Sequence, residues 1–111
     1  MIVEFVEFRH PPGWTREQVL EDARHTVEKW RANEDLVRKH FIAGEGDMVG
    51  GIYVWKTRQA ADRAHDAEWL DAVEKRTGTR PALRYFDLTM VMDNVAGTVT
   101  EFGGGATEEM Q

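Results

Sequence analysis

The distribution of apolar and polar residues along the chain separates short stretches that favour strands from longer stretches that favour helices. Period-two patterns rich in β-branched and aromatic residues predict strands at residues 2–8, 36–43, 50–55 and 82–92, with a short edge strand at 96–102. Alternation along the first strand places Glu4 on the same face as its apolar neighbours Ile2 and Val6.

Two longer stretches show the 3.6-residue spacing of amphipathic helices. The first, residues 15–31, begins with the spacing of a capping box at Thr15 and keeps its apolar residues on one stripe. In the second, residues 57–76, the alanines of the first half and the apolar residues around Trp69 fall on different faces of a continuous helix. We therefore predict one kinked helix or two short helices, with the break near residues 65–67.

The order of these elements is β-α-β-β-α-β, which predicts a ferredoxin-like α+β fold with one antiparallel sheet and helices on one of its faces. Residues 1–102 are expected to form this single domain, and the Gly-rich polar tail, residues 103–111, is expected to be disordered. The uncovered face of the sheet would also carry apolar residues, which need a partner. We therefore predict a homodimer in which two sheets pack face to face.

Composition excludes several classes of function. With 14 basic and 20 acidic residues, the 111-residue chain has a formal net charge of −6, which argues against nucleic acid or an anionic membrane as partner. The absence of cysteine and serine excludes thiol chemistry, zinc–thiolate sites and serine-hydrolase chemistry.

Targeting and metal signals are also missing from the sequence. No apolar run approaches the roughly 20 residues of a membrane span, and the first residues lack the features of a signal peptide. We therefore expect a cytoplasmic protein without a membrane partner. The four histidines are scattered without the spacing of metal ligands, so no metal site is expected.

One segment carries a resemblance to known proteins. Residues 50–57, Gly-Gly-Ile-Tyr-Val-Trp-Lys-Thr, are followed by three alanines and His65. This block resembles the YdhR-type monooxygenases of the dimeric α/β-barrel superfamily, which are relatives of the antibiotic-biosynthesis monooxygenases. The resemblance implies a dimeric α/β barrel that oxidises a small aromatic or quinol-like compound without metal, flavin or other cofactor.

Such a reaction requires a base that removes a proton and a cation that stabilises the resulting anion. His65 matches the pattern of the family best and is the first candidate for the base; His40 is the second, with a role in the dimer interface as its alternative. Arg84, which alternates with apolar residues on its strand, is the candidate for stabilising the anion. An ion pair in the dimer interface is the alternative role for Arg84.

The aromatic residues are candidates for binding the substrate ring. Tyr53 and Trp55 share one face of the central strand and would form the wall of a pocket, or else fill the core. Trp69 lies on the core stripe of its helix. Trp14 would cover the pocket or staple the start of the first helix, and His10 would lie at the pocket mouth or in a plain loop.

The fold is also compatible with a second function. The alternative to an oxygenase is a non-catalytic protein of the same dimeric α/β-barrel type, which binds a small hydrophobic ligand or belongs to a stress response. In a third alternative the aromatic residues fill the space and the protein is an interaction domain.

Overall fold

A four-stranded antiparallel sheet, with helices packed on one face, forms the centre of the protein. The computed structural model describes residues 1–103. The elements are β1 (Ile2–Arg9), α1 (Arg16–Arg24), α2 (Val27–Arg31), β2 (Leu36–Ala43), β3 (Met48–Trp55), α3 (Arg58–Ala64), α4 (Ala67–Thr77), β4 (Ala82–Asp87), β5 (Met90–Asp93) and β6 (Thr98–Glu101). The strand order β2-β3-β1-β4 is the predicted ferredoxin-like arrangement. The predicted disordered tail lies outside the described residues, apart from Gly103.

The core lies between the sheet and the helices and is built on the two central strands. Every second residue of β1 and β3 is buried, so each strand turns one face towards the helices. Glu4 pairs with Tyr53, and Ile2 pairs with Trp55, across the two strands. These four buried side chains are therefore neighbours on one face, as the alternation predicted.

The Gly-Gly pair of β3 is required by close approach of the backbone. A Cβ atom at Gly50 would lie 1.9 Å from the carbonyl oxygen of Val6 on β1. A Cβ atom at Gly51 would lie 2.9 Å from the ring of Tyr53 and 3.1 Å from the side chain of Lys39. The first glycine thus permits the pairing of β1 with β3, and the second leaves room for two side chains of the candidate site.

The first helical region starts as predicted but is divided in two. The capping box is present, because the Thr15 hydroxyl accepts from the amide of Gln18 at 3.2 Å and the Gln18 side chain accepts from the amide of Thr15 at 2.7 Å. The prediction of one helix over residues 15–31 is wrong. α1 ends at Arg24, and the hydroxyl of Thr26 donates to the carbonyl of Ala23 at 2.8 Å, a carbonyl that would accept from the amide of Val27 in a continuous helix.

The second helical region contains the predicted break. α3 ends at its C-cap His65, and α4 begins at its N-cap Asp66, whose carboxylate accepts from the amide of Trp69 at 2.9 Å. The break turns His65 into the core, where it is buried. None of the helices within residues 1–103 is long and apolar enough to cross a membrane.

The last predicted strands are arranged differently from the expectation. A continuous strand over residues 82–92 is wrong, because β1 pairs with β4 only as far as Ile2 opposite Asp87. The chain then leaves the sheet, and β5 pairs with β6 as a separate antiparallel hairpin. Asp93 closes this hairpin by accepting from two amides of the turn.

Candidate functional site

A cavity of about 410 Å³ opens between the helix-covered face of the sheet and helices α1, α2 and α4. This volume is in the range of small-molecule sites. Its aromatic walls come from several elements and consist of Phe8, Trp14, Trp30, Phe41, Tyr53 and Trp69. The structure thus brings four of the predicted binding residues to the cavity: His10, Trp14, Tyr53 and Trp69.

His10 and Trp14 form one side of the cavity as a stacked pair. Their rings are nearly parallel, at an interplanar angle of 10°, and their centroids are 5.9 Å apart. The Nδ1 atom of His10 donates to the carbonyl oxygen of Pro11 at 2.8 Å, which fixes the orientation of the imidazole. The loop after β1 therefore supplies a flat, oriented surface.

Lys39 is the cation that lies among the aromatic walls of the cavity, and the sequence did not point to it. Its ammonium nitrogen lies 4.7 Å from the ring of Trp30, 4.0 Å from that of Phe41 and 4.6 Å from that of Tyr53. Ring faces attract a cation through their quadrupole. Burial and the positive charge of Lys29 lower the pKa of Lys39 to about 7. Lys39 can therefore exchange a proton at neutral pH.

A β-bulge in β2 explains why Lys39 and not His40 faces the cavity. The pairing of β2 with β3 shifts between Leu36 and Arg38, after which Lys39 lies opposite Tyr53. A bulge inserts one residue and therefore exchanges the two faces of the strand beyond it. His40 lies opposite Ile52 and faces the side of the sheet away from the helices. His40 therefore does not line this cavity.

Arg84 also lies on the sheet face away from the cavity. It pairs with Phe5 across β1 and β4, and its guanidinium carbon is 4.9 Å from the ring of Phe5. Its side chain is exposed. Arg84 therefore does not line this cavity, where Lys29, Lys39 and Arg76 are the positively charged side chains.

Trp55 and His65 lie beneath the cavity, and both bind one buried carboxylate. Glu4 Oε1 accepts from the indole nitrogen of Trp55 at 2.8 Å and from Nδ1 of His65 at 2.8 Å. All three side chains are buried. Trp55 is buried in the core and does not line the cavity, which is the second of the two roles that the sequence left open for it.

His65 contacts the cavity only through its walls. Its ring centroid lies 4.6 Å from that of Tyr53 and 4.2 Å from that of Trp69. Within residues 1–103, Nε2 of His65 and Oε2 of Glu4 have no hydrogen-bond partner. The pair therefore supports the aromatic walls from below.

Tyr53 presents a protonated hydroxyl at neutral pH. Burial, together with the negative charge of Glu4, raises the pKa of Tyr53 far above its ordinary value. Tyr53 can therefore donate a hydrogen bond but cannot serve as a base. Its ring stacks on that of Trp55, with centroids 5.8 Å apart and planes 4° from parallel.

Comparison with known proteins shows a shared fold at low sequence identity. No protein-family model and no curated protein matches the sequence. A candidate antibiotic biosynthesis monooxygenase from Deinococcus radiodurans superposes with a TM-score of 0.58 at 8% identity, covering 84% of this chain and 97% of that chain. Protein YJCS, a structural genomics target, superposes with a TM-score of 0.58 at 10% identity, and the match covers 80% of this chain and 100% of that chain.

A third similar structure is a mutant of SnoaB, a cofactor-independent oxygenase from Streptomyces nogalater. It has a TM-score of 0.54 and 18% identity, and the match covers 77% of this chain and 90% of that chain. The chain therefore has the fold of these monooxygenase-like proteins.

The lowered pKa of Lys39 predicts a stability effect that depends on pH. An unfolded lysine has a pKa of about 10.4, whereas Lys39 in the folded protein has one of about 7. Between these values the unfolded chain binds more protons, so this side chain makes the protein more stable as pH rises. We expect Lys39→Met to raise the free energy of unfolding at about pH 6, and the gain to shrink towards about pH 10.

Urea denaturation across this pH range measures the difference between variant and wild type. Lys75→Met is the matched control, because Lys75 is an exposed lysine outside the cavity and the change in net charge is the same. A gain for Lys39→Met that does not depend on pH would contradict the lowered pKa.

The hydrogen bond between Glu4 and His65 predicts strong coupling between two substitutions. Glu4→Leu and His65→Leu should each destabilise the protein, since each removes one group of the pair and leaves buried polar atoms of the other without that partner. The double variant should lose about 1–3 kcal/mol less than the sum of the single losses. Urea denaturation at neutral pH measures this cycle, and additive losses would show that the pair does not interact.

Proposed function

We propose that this protein is a cofactor-independent monooxygenase acting on a small aromatic or quinol-like compound. The observation that carries the proposal is Lys39, a lysine with a pKa of about 7 that is surrounded by three aromatic rings inside a cavity. A base whose pKa is near the operating pH is the requirement for removing a phenolic proton. The shared fold with a cofactor-independent oxygenase supports the proposal.

Lys39 serves as base and as cation in successive steps. The neutral amine accepts the proton of a phenolic hydroxyl and becomes an ammonium group beside the new phenolate. The electron-rich ring then reduces dioxygen: one ring C–H and the phenolic O–H are lost, one oxygen atom enters as a carbonyl and the other leaves as water. Converting 1-naphthol to 1,4-naphthoquinone in this way consumes one O₂ and releases one H₂O, with all electrons supplied by the substrate.

The remaining residues orient the substrate. Trp14, Trp69 and Phe41 offer flat surfaces for the ring, and the Tyr53 hydroxyl can donate a hydrogen bond to it. His65, which the sequence predicted as the base, holds Tyr53 and Trp69 in place from beneath. We therefore propose His65 as a positioning residue, with Glu4 fixing its orientation.

Ligand binding without turnover is the second candidate function. The observation in its favour is that the predicted base His65 is fully buried and does not line the cavity. An ammonium group among aromatic rings can also hold a phenolate without further reaction. Consumption of oxygen separates the two functions.

Oxygen uptake with 1-naphthol and anthrone tests the oxygenase. We expect uptake in metal-free buffer by the wild type and by the control Lys75→Met, and a loss of about 10²-fold or more in kcat for Lys39→Met, the size of a general-base contribution. Binding of either compound without oxygen uptake would support the alternative function and contradict catalysis.

The dependence of kcat/KM on pH also tests Lys39 as the base, because the direction of the change can be predicted. Lys39 is an active base only when neutral, so kcat/KM should rise as pH increases through about 7 and level off above it. Burial lowers the pKa of Lys39 most, the positive charge of Lys29 lowers it further, and the negative charge of Asp22 raises it. The residual rate of Lys39→Met should lack this rise.

We also propose that two copies of the chain pair through the sheet face opposite the helices. Within residues 1–103 no helix packs on this face, which carries the apolar side chains Val3, Phe5, Ile52, Val54 and Phe86. Phe86 is 51% exposed. An apolar sheet face of this kind needs a cover, and a second copy supplies one with the same surface.

Light scattering after gel filtration tests the dimer. The wild type should elute at twice the chain mass of 12.7 kDa, and Phe86→Asp should shift it towards the monomer because a charge would be buried in the interface. Leu20→Asp is the control, since Leu20 is also exposed but lies on α1, away from this face. A wild-type monomer would overturn the proposal.

A further inference from the structure

The cavity is lined by several positively charged side chains, and the proposed oxidation gives a role to Lys39 alone among them. Lys29, Lys39 and Arg76 line the cavity, whereas Asp22 is the one carboxylate among its described lining residues. The whole chain has a net charge of −6. The cavity is therefore a locally cationic region of an acidic protein, which is the electrostatic complement of an anionic ligand.

The two lysines carry the charge that remains available to a ligand. Arg76 donates to both carboxylate oxygens of Asp22, at 2.9 and 3.0 Å, so these two residues neutralise each other. The ammonium groups of Lys29 and Lys39 lie 4.8 and 4.7 Å from the ring of Trp30. Within residues 1–103 neither lysine forms an ion pair with a carboxylate.

Lys29 and Lys39 differ in how far their side chains are buried, and this difference suits them to different groups of a ligand. Lys29 is exposed at the mouth of the cavity, and Lys39 is half-buried among its aromatic walls. Asp66 at the start of α4 is the acidic group whose charge acts on Lys29, at a distance beyond an ion pair. A solvated ammonium at the mouth suits a permanently charged group, whereas a buried amine suits a group that gives up its proton.

We propose that the aromatic ligand of this cavity is a hydroxylated aromatic acid, whose carboxylate binds Lys29 at the mouth while its phenolic hydroxyl faces Lys39. This inference rests on the proposed function, because it uses the same cavity and the same base. The inference adds the class of substrate to the proposed function. The substrate is an aromatic ring system that carries both a hydroxyl and a carboxylate, placed so that the two groups can reach the two lysines together.

The available donors favour a carboxylate over a phosphate. Arg76, the residue best suited to a phosphate, already donates from its Nη1 atom to both oxygens of Asp22, so a bound phosphate would have to compete with that carboxylate for its charge. A carboxylate is planar and can follow the ring plane between aromatic walls such as Trp30 and Phe41. The carboxylate must not be adjacent to the hydroxyl, because an internal hydrogen bond would then retain the proton that Lys39 has to remove.

Two matched ligands test this inference by calorimetry at neutral pH and low salt. 1-Naphthol and 4-hydroxy-2-naphthoate differ only in the carboxylate. We expect the acid to bind the wild type about tenfold more tightly, the value of one charge-assisted contact. This preference should weaken at about 1 M salt, because an exposed ion pair is screened.

Three variants assign the preference to Lys29. Lys29→Met should reduce the ratio of the two dissociation constants to about one, and Lys29→Arg, which keeps the charge, should retain most of it. Lys75→Met has the same charge change outside the cavity and should leave the ratio as in the wild type. Binding of 1-naphthol by Lys29→Met shows that this variant is folded.

The outcomes separate this inference from the proposed oxidation. Equal affinity for the two ligands, or a preference that persists in Lys29→Met, overturns the inference and leaves the oxygenase in place. A preference lost in Lys29→Met, together with no oxygen uptake from either ligand, supports the acid as ligand class and contradicts the oxygenase. Failure of both ligands to bind overturns both proposals.

Discussion

The core is arranged around the hydrogen bonds that the buried carboxylate of Glu4 accepts from Trp55 and His65. An ionised carboxylate without partners in an apolar interior is very costly, so the surrounding structure has to supply donors. Trp55 from β3 and His65 from the junction of α3 and α4 do so, each at 2.8 Å. One oxygen thus joins the central strands to the helical layer. The break between α3 and α4 lies at this contact. α3 ends at His65, and the imidazole of His65 lies in the core, where it reaches Glu4.

The aromatic cavity depends on this buried group through its floor. His65 lies against Tyr53 and Trp69, and the stacked rings of Tyr53 and Trp55 rest on the same face of β3. The floor is therefore fixed by hydrogen bonds that a ligand does not touch, and the walls above it can bind a ring without rearranging. Preorganisation of this kind lowers the entropic cost of binding.

Much of the fold and half of the candidate site could be predicted from local pattern. Alternation placed Glu4 on one face with Ile2 and Val6, and the shift of the alanine stripe located the break near residues 65–67. Lys39, His40 and Arg84 could not be placed in this way. The bulge in β2 exchanges the faces of Lys39 and His40, and a bulge depends on pairing with another strand. Period-two reasoning assumes an uninterrupted strand, so it pointed to His40 and not to Lys39 as a residue that could face the cavity.

Glu4 and Lys39 show opposite solutions to the problem of a charge in a core. Glu4 has donors within hydrogen-bond distance, whereas Lys39 has ring faces around it and the like charge of Lys29 nearby. A site with an uncompensated cation destabilises the ligand-free protein, and an anion in the cavity would relieve that cost. Binding of a phenolate would therefore raise the pKa of Lys39. Because the same contact lowers the pKa of the phenol, transfer of the proton from ligand to lysine and stabilisation of the resulting ion pair are one physical event.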